Sequence, residues 1–185
     1  MFYVERRHPK TILPNEGFLL YSLIRLARPL IVVEIGRLGG ASTEYIARAL
    51  ADNCSGVVHS IDTVETREAH DRLMPWVGAK VVTLHRFSSH GDEAKALASE
   101  LGSVDFLMVD GDHCAEGVEA DCKTWLPHLR GYAVFHDWGR KGVVEGYRAG
   151  TQGKELHSIE FGMQGRRENT GGLLVVQQGR GAFRP

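Results

Sequence analysis

A length of 185 residues fits one domain with a sizeable buried core. The net charge of −1 gives no bulk attraction for nucleic acid, and 43% hydrophobic with 24% charged residues is ordinary for a globular protein. No apolar run reaches the length of a membrane span, and the first ten residues lack the apolar core of a signal peptide. We therefore expect one cytoplasmic domain over residues 1–185, with neither nucleic acid nor a membrane as a partner.

The chain begins with a predicted irregular arm over residues 1–14, which contains two prolines. A helix is expected to follow, capped by Asn15 and running through Arg28. Its apolar stripe is predicted to consist of Phe18, Leu19, Ser22, Leu23 and Leu26. The odd number of cysteines, without C-x-x-C spacing, predicts buried thiols rather than a disulfide or zinc framework.

From residue 31 onward, short apolar runs alternate with segments of helical spacing. This alternation predicts a doubly wound, Rossmann-like α/β fold with a mostly parallel sheet and helices on both faces. The segments KELHSIEF and GGLLVVQQ near the C-terminus predict an antiparallel hairpin that completes a seven-stranded sheet. The five strands before it are expected in the segments IVVEI, GVVHSID, AKVVTLH, VDFLMVDGDH and RGYAVFHDWG.

The turn after the first strand predicts where a cofactor binds. It has the spacing E-x-G-x-x-x-G, and the glycines let the backbone turn sharply and approach a ligand closely. A dinucleotide site would have G-x-G-x-x-G with a pyrophosphate at the helix N-terminus, and Glu34 would repel that group. The turn instead resembles the first motif of class I S-adenosylmethionine-dependent methyltransferases, where the loop approaches the amino-acid part of the cofactor. The residues expected at this subsite are Glu34, Gly36, Gly40 and Ser42, with Ser42 and Thr43 as N-cap candidates for the next helix.

Further polar residues follow the other predicted strands, at the sheet edge where ligands bind in such folds. Asp62, at the end of the second strand, is expected to accept hydrogen bonds from the two ribose hydroxyls; the alternative is a helix N-cap. Phe87, Ser88 and Ser89 are placed to flank an adenine ring, with an ordinary loop as the alternative. The remaining candidates are Asp110, Asp112 and His113 after the fourth strand, and His136 and Asp137 after the fifth.

The tract VDGDHCAEGVEADCKTWLPHLRGYAVFHDW resembles a methyltransferase group that includes the sugar O-methyltransferases of macrolide and aminocoumarin biosynthesis. By that resemblance, Asp110, His136 and Asp137 hold a divalent ion, Mg²⁺ or Mn²⁺, and Asp110 also borders the cofactor. One departure is His136, which stands where the sugar enzymes have Asp or Glu. A nitrogen ligand suits manganese, iron or zinc better than magnesium. The alternative is that Asp110 only orders its loop and His136 hydrogen-bonds to a neighbour.

Methyl transfer to a hydroxyl requires a base, and two candidates follow the fourth strand. His113 is the first choice because the pKa of an unperturbed histidine lies near neutrality. Asp112 is the alternative, matching the base of the aminocoumarin sugar enzymes. A surface position capping the next helix is the structural alternative for His113.

The leading hypothesis is therefore an S-adenosylmethionine-dependent O-methyltransferase acting on a small hydroxylated metabolite such as a sugar, polyketide or phenol, with a homodimer left open. A non-catalytic cofactor-binding module of the same fold and a nicotinamide-dependent oxidoreductase are the alternatives. The arm and the loops after strands four to six are expected to form the acceptor pocket.

Overall fold

A seven-stranded sheet organises the fold. The computed structural model describes residues 12–152, 157–162 and 172–178, so most of the predicted arm and of the last hairpin loop lies outside the described residues. The strands are β1 (Ile31–Ile35), β2 (Val57–Asp62), β3 (Val82–Arg86), β4 (Val104–Val109), β5 (Leu129–His136), β6 (His157–Phe161) and β7 (Leu173–Gln177). Their order is β3-β2-β1-β4-β5-β7-β6, and only the pairings of β7 with β5 and β6 are antiparallel. The predicted fold class, including the closing hairpin, is confirmed.

Helices cover both faces of this sheet. They are α1 (Pro14–Ala27), α2 (Ala41–Asn53), α3 (Arg67–Gly78), α4 (Asp92–Leu101), α5 (Ala115–Trp125, followed by a 3₁₀ turn at Leu126–His128) and α6 (Lys141–Gly150). Side chains of α1, α2 and α3 pack in one core with Val32, and those of α4, α5 and α6 pack in the other with Val33. Adjacent strand residues point to opposite faces, so Glu34 lies on the α1–α3 side. Within the described residues, no helix combines the length and apolarity that a membrane span requires.

The start and the buried face of α1 differ from the prediction. The helix begins at Pro14 with Leu13 as its N-cap, and Glu16 Oε2 accepts the Leu13 N–H at 2.8 Å, so Asn15 is not the cap. The buried residues of α1 are Glu16, Gly17, Leu20 and Ile24, whereas Leu26 is 66% exposed. The stripe shifts because Gly17 lies directly against the Tyr45 ring, where any side chain would collide. A glycine that permits close helix packing leaves no apolar signal in the sequence.

The cysteines also depart from the expectation. Only Cys122 is buried, while Cys54 and Cys114 are exposed free thiols. Both exposed residues occupy helix ends, where Cys54 is the left-handed C-cap of α2 and Cys114 is the N-cap of α5. Both cysteines are therefore located where a helix begins or ends, and neither packs in the core.

Candidate active site

A cavity of about 690 Å³ lies at the carboxyl ends of β1 to β5. Of the predicted site residues, those in its lining are Gly36, Ser42, Asp62, Ser88, Asp110, Asp112, His113 and Asp137. Glu34, Gly40 and His136 lie outside the lining. Residues that sequence reasoning did not place here, Ile12, Arg37, His90 and Arg140, also border it. The cavity therefore brings the glycine turn and the acid–histidine residues to one space.

The glycine turn is held against the end of β4. Gly36 has a φ of +86°, and a Cβ there would collide with the backbone of Asp110. The Asp110 N–H donates to the Ile35 carbonyl at 2.8 Å, so the two loops are joined by the backbone itself. Only glycine combines this dihedral angle with this approach. Gly40 has a φ of +75° and is the N-cap of α2 in place of the predicted Ser42 or Thr43.

Glu34 lies beneath the turn, fully buried. Its Oε2 accepts hydrogen bonds from Thr43 Oγ1 at 2.5 Å and Ser60 Oγ at 2.6 Å. Burial raises the pKa of this carboxyl, and the hydroxyls of Ser42, Ser60 and Thr43 act in the opposite direction. Glu34 therefore connects β1 to β2 and α2 through hydrogen bonds, and it is not part of the cavity lining. Thr43 is not free to cap α2 because its hydroxyl is used here.

Asp62 lines the cavity and also holds the turn. Its Oδ2 accepts the N–H groups of Arg37 at 2.9 Å and Leu38 at 2.8 Å, and its Oδ1 accepts that of Val64 at 2.8 Å. A carboxylate offers about four lone-pair positions, so these bonds leave capacity for about one more. The hydrogen bonds from two ribose hydroxyls to Asp62, expected from the sequence, stay a prediction. To accept both, the carboxylate would have to lose one of its bonds to the backbone.

Two arginines that sequence reasoning missed support the turn. Arg37 is 3% exposed, and its guanidinium donates to the Ser60 carbonyl at 2.8 Å and the His85 carbonyl at 3.3 Å. Arg72, on α3, donates from Nε to the Gly39 carbonyl at 2.9 Å. It also pairs with Glu44 on α2 at 2.8 Å. These contacts join segments distant in sequence, so no local pattern could have revealed them.

The loop after β3, predicted to flank an adenine, is ordered by a carboxylate on α5. Asp121 is 1% exposed and accepts a hydrogen bond from Ser89 Oγ at 2.5 Å, with His90 Nδ1 at 3.2 Å. Trp125 Nε1 donates to the Ser89 carbonyl at 2.7 Å. Burial raises the pKa of Asp121, while Ser89 and His90 act to lower it. Ser88, Ser89 and His90 are thereby fixed at the cavity wall.

The opposite side of the cavity holds a cluster of carboxylates and imidazoles, which we call the acid–imidazole cluster: Asp110, His113, His136 and Asp137. His113 Nε2 lies 3.5 Å from Asp110 Oδ1 and 3.3 Å from Asp137 Oδ2. His136 Nδ1 lies 2.9 Å from Asp110 Oδ1 and 3.6 Å from Asp137 Oδ1. Asp137 has a φ of +53°, a strained value for a residue other than glycine, and pairs with Arg140 Nε at 2.8 Å. The structure thus brings together the residues predicted as metal ligands and the predicted base.

Electrostatics in this cluster is dominated by the carboxylates. Contacts with Asp110 and Asp137 raise the pKa of His113 to about 9. Burial alone would lower the pKa of His136, but Asp110 and Glu16 outweigh it and raise that pKa to about 10. Burial likewise works to raise the pKa of Asp110, and the two histidines reverse it into a lowered value. The carboxylates therefore favour the protonated imidazoles, and the two imidazoles in turn keep the Asp110 carboxylate ionised.

The donor set fits a divalent metal ion. Ligand atoms of Asp110, His113 and His136 lie within 4.8 Å of one another. His113 Nε2 and His136 Nδ1 are buried and make no hydrogen bond to the described residues, although both are close to carboxylates. Both nitrogens lie beside the same carboxylate oxygen, Asp110 Oδ1. Nitrogen and carboxylate ligands around one point are typical of first-row divalent metal sites.

Asp112, the alternative base, is occupied elsewhere. Its side chain is exposed, and its two oxygens contact the Cys114 N–H at 3.0 Å and the Cys114 thiol at 3.0 Å. These contacts lower its pKa. An exposed carboxylate with a lowered pKa that caps the following turn is the weaker candidate for proton removal.

Comparisons with known proteins agree with this architecture. A family model described as "Methyltransferase domain" matches residues 33–138, more than half of the chain. A search of curated proteins found no match. Among solved structures, an O-methyltransferase from Bacillus cereus in complex with SAH has a TM-score of 0.72 at 18% identity, covering 92% of this chain and 84% of that one.

Two further solved structures share the fold. The O-methyltransferase TomG from Streptomyces achromogenes, involved in tomaymycin synthesis and in complex with SAM, gives a TM-score of 0.64 at 20% identity, with coverages of 91% and 82%. CalS11, a TDP-rhamnose 3′-O-methyltransferase of calicheamicin biosynthesis, gives 0.67 at 14% identity, with coverages of 94% and 81%. The nicotinamide alternative has no support in the family match. The glycine turn and the strand order of the sheet agree with that match. This chain belongs to the methyltransferase-domain family, as the match over residues 33–138 shows.

Proposed function

We propose that the protein transfers a methyl group from S-adenosylmethionine to a hydroxyl oxygen of a small metabolite such as a sugar, a polyketide or a phenol. The observation that carries this proposal is the acid–imidazole cluster, which opens into the same cavity as the glycine turn. A protein that only bound the cofactor would have no use for buried carboxylates and imidazoles beside the cofactor subsite. An oxygen acceptor is supported by the need to remove a proton, for which this cluster supplies the groups.

The cofactor would extend along the glycine-turn side of the cavity. Gly36 and Ser42 would approach its amino-acid part, Asp62 its ribose, and Ser88 its adenine. Asp110 lies between this region and the rest of the acid–imidazole cluster, and its backbone N–H donates to the Ile35 carbonyl just before the glycine turn. Solved structures with the same fold support this placement, since those from Bacillus cereus and Streptomyces achromogenes are complexes with SAH and SAM.

In the reaction, the acceptor oxygen forms a bond to the methyl carbon while the carbon–sulfur bond breaks, giving S-adenosylhomocysteine. His113 would take the acceptor proton, because its side chain is 30% exposed at the cavity wall whereas His136 is buried. Asp110, His136 and Asp137 would hold the divalent ion, which when bound polarises the acceptor hydroxyl and lowers its pKa. A cation bound by Asp110 and Asp137 would act against the raised pKa of His113, because it would share the charge of the carboxylates that raise it.

Calorimetric titration with S-adenosylmethionine and with NAD, followed by a panel of hydroxylated acceptors analysed by mass spectrometry, tests the proposal. We expect binding of S-adenosylmethionine alone and a product heavier by one methyl group. Asp137→Asn is the informative variant, since asparagine tolerates the left-handed backbone angle but removes the charge. It should lose turnover and keep cofactor affinity. Binding of NAD but not S-adenosylmethionine would contradict the proposal.

A further inference from the structure

Glu16, on α1, is a buried carboxylate that sequence reasoning assigned no role, and it faces His136. Glu16 is fully buried, and its Oε2 lies 3.1 Å from His136 Nε2 in hydrogen-bond geometry. The same oxygen accepts the Leu13 N–H at 2.8 Å, and Oε1 lies 3.4 Å from the Gly172 N–H. The start of α1 and the start of β7 thus fix the carboxylate in place. An anchored acceptor of this kind requires the proton of His136 to be on Nε2.

The opposite nitrogen of His136 lies beside Asp110, which lines the cavity. Nδ1 lies 2.9 Å from Asp110 Oδ1 but makes no hydrogen bond to the described residues. Two ligands at right angles around an ion at about 2.1 Å are separated by about 3 Å, which matches this pair. A histidine that binds a metal ion through one ring nitrogen usually donates the N–H of the other nitrogen to a carboxylate.

A ligand pair of one imidazole nitrogen and one carboxylate oxygen favours some divalent metal ions over others. Mg²⁺ prefers oxygen ligands and retains several waters, whereas imidazole suits Mn²⁺, Fe²⁺, Co²⁺ and Zn²⁺. A carboxylate on Nε2 also increases the basicity of the coordinating nitrogen. We propose that Glu16 positions His136 as a metal ligand, and that the site selects a nitrogen-binding transition metal ion over Mg²⁺. This inference rests on the proposed function but concerns the metal rather than the methyl group.

The first test uses the unmodified full chain, freed of metal with a chelator and then dialysed. Titration with Co²⁺, followed by visible absorption, should show one ion per chain with the ligand-field bands of nitrogen coordination. Zn²⁺ should displace it, and a roughly hundredfold excess of Mg²⁺ should not. Pulsed electron paramagnetic resonance of the Mn²⁺ form should detect a directly bound imidazole nitrogen. Mg²⁺ binding as tightly as Co²⁺, or a spectrum without nitrogen coupling, would overturn the proposal.

The second test concerns Glu16. Glu16→Gln should weaken Co²⁺ binding about 10–100-fold, the usual effect of losing an outer-shell carboxylate. Asp105→Asn is the matched control, because Asp105 also accepts backbone N–H groups, those of Leu30 and Ile31 at 2.9 and 3.0 Å, but lies at the other end of the sheet. A folded Glu16→Gln protein with unchanged Co²⁺ affinity would refute the role of Glu16.

Failure here is distinguishable from failure of the methyltransferase proposal. A chain that binds S-adenosylmethionine and methylates an acceptor in chelator, yet binds no Co²⁺, overturns the metal inference alone. A chain that binds Co²⁺ through nitrogen but never methylates a hydroxylated acceptor supports the metal inference and counts against the proposed reaction.

Discussion

The two sides of the cavity satisfy their polar groups differently. On the glycine-turn side, Asp62 accepts backbone N–H groups, Arg72 donates to the Gly39 carbonyl, and Glu34 accepts two hydroxyls. In the acid–imidazole cluster, by contrast, His113 Nε2 and His136 Nδ1 have no hydrogen bond to the described residues. Most polar atoms of the glycine-turn side are thus bonded within the chain, with Glu34 Oε1 and Arg37 Nε as exceptions among the described residues, whereas the two imidazole nitrogens of the cluster lie beside carboxylates.

This difference separates two kinds of function. A side closed by its own backbone is preorganised, so a ligand can bind it with little ordering cost. The imidazole nitrogens of the cluster are paired with carboxylates but make no aligned hydrogen bond to the described residues, so their contacts can be exchanged for those of a ligand. Substitutions on the first side should therefore reduce binding and stability together, whereas those on the second should remove chemistry and leave the fold.

The largest effect is expected from Gly36→Ala. A Cβ at this position would collide with the Asp110 backbone, and the φ of +86° adds strain, so the turn must move. Calorimetry should detect no S-adenosylmethionine binding. Gly102→Ala is the matched control, because Gly102 also has a positive φ of +66° but nothing lies within 4 Å of its added Cβ. It should lose about 1–2 kcal/mol of stability and keep its affinity. Normal binding by Gly36→Ala would disprove the close approach.

His113→Ala tests the acid–imidazole cluster. Removal of the base should lower the methyl-transfer rate by about 10²–10⁴-fold, with the S-adenosylmethionine affinity unchanged. Asp112→Asn should remain active, since Asp112 contacts Cys114 and its amide can still cap the turn. If Asp112→Asn is inactive and His113→Ala active, the base is Asp112. Loss of metal from His113→Ala would show instead that His113 is a ligand.

Asp62→Ala tests the closed side, where binding and loop support are combined. Loss of the carboxylate should weaken S-adenosylmethionine binding by roughly 1.5–3 kcal/mol, the value for hydrogen bonds to a charged group. Unfolding in urea should also show reduced stability, because Arg37, Leu38 and Val64 lose their acceptor. Asp105→Ala removes comparable backbone bonds far from the cavity and should reduce stability alone. Equal affinity losses in both variants would show that Asp62 acts through stability only.

Sequence periodicity predicted the sheet, and strand ends predicted most of the cavity. The segments GVVHSID and VDFLMVD have strand character and end in acids, and Asp62 and Asp110 both line the cavity at one edge of the sheet. Parallel strands bring such ends together whatever the intervening helices contain. Local pattern was therefore enough for the backbone and for side chains that follow a strand directly.

Contacts between distant segments could not be predicted in this way. Glu16 and His136 are 120 positions apart and meet only because α1 packs over the end of β5. The burial of Gly17 against Tyr45 moved the packed face of α1 away from the expected stripe. Glu34 illustrates the limit within a single motif, since its place in the strand was predicted but its hydroxyl partners, Thr43 and Ser60, lie on α2 and β2.

The smallest effect is expected from a histidine pair below the closed side. His59 Nδ1 and His85 Nε2 lie 3.0 Å apart in stacked rings. Burial, His59 and Arg37 lower the pKa of His85 to about 4, below its ordinary value of 6.5. The folded state thus favours the neutral ring. Its contribution to stability is complete above pH 6.5 and declines as the pH falls toward 4, because only the unfolded chain takes up the proton in that range.

His85→Phe isolates this contribution, since phenylalanine can keep the stack and the Arg37 hydrogen bond goes to the backbone carbonyl of residue 85. Urea midpoints at pH 7, 6, 5 and 4.5 should fall less steeply for the variant than for the unmodified chain. The metal and cofactor affinities at pH 7 should not differ, because the pair lies outside the cavity lining. Titratable groups away from this pair change both proteins alike, so the difference between the two curves reports the His59–His85 pair. Parallel curves would mean that the buried pair carries no proton-linked stability, and the closed side would then owe its stability to its hydrogen bonds alone.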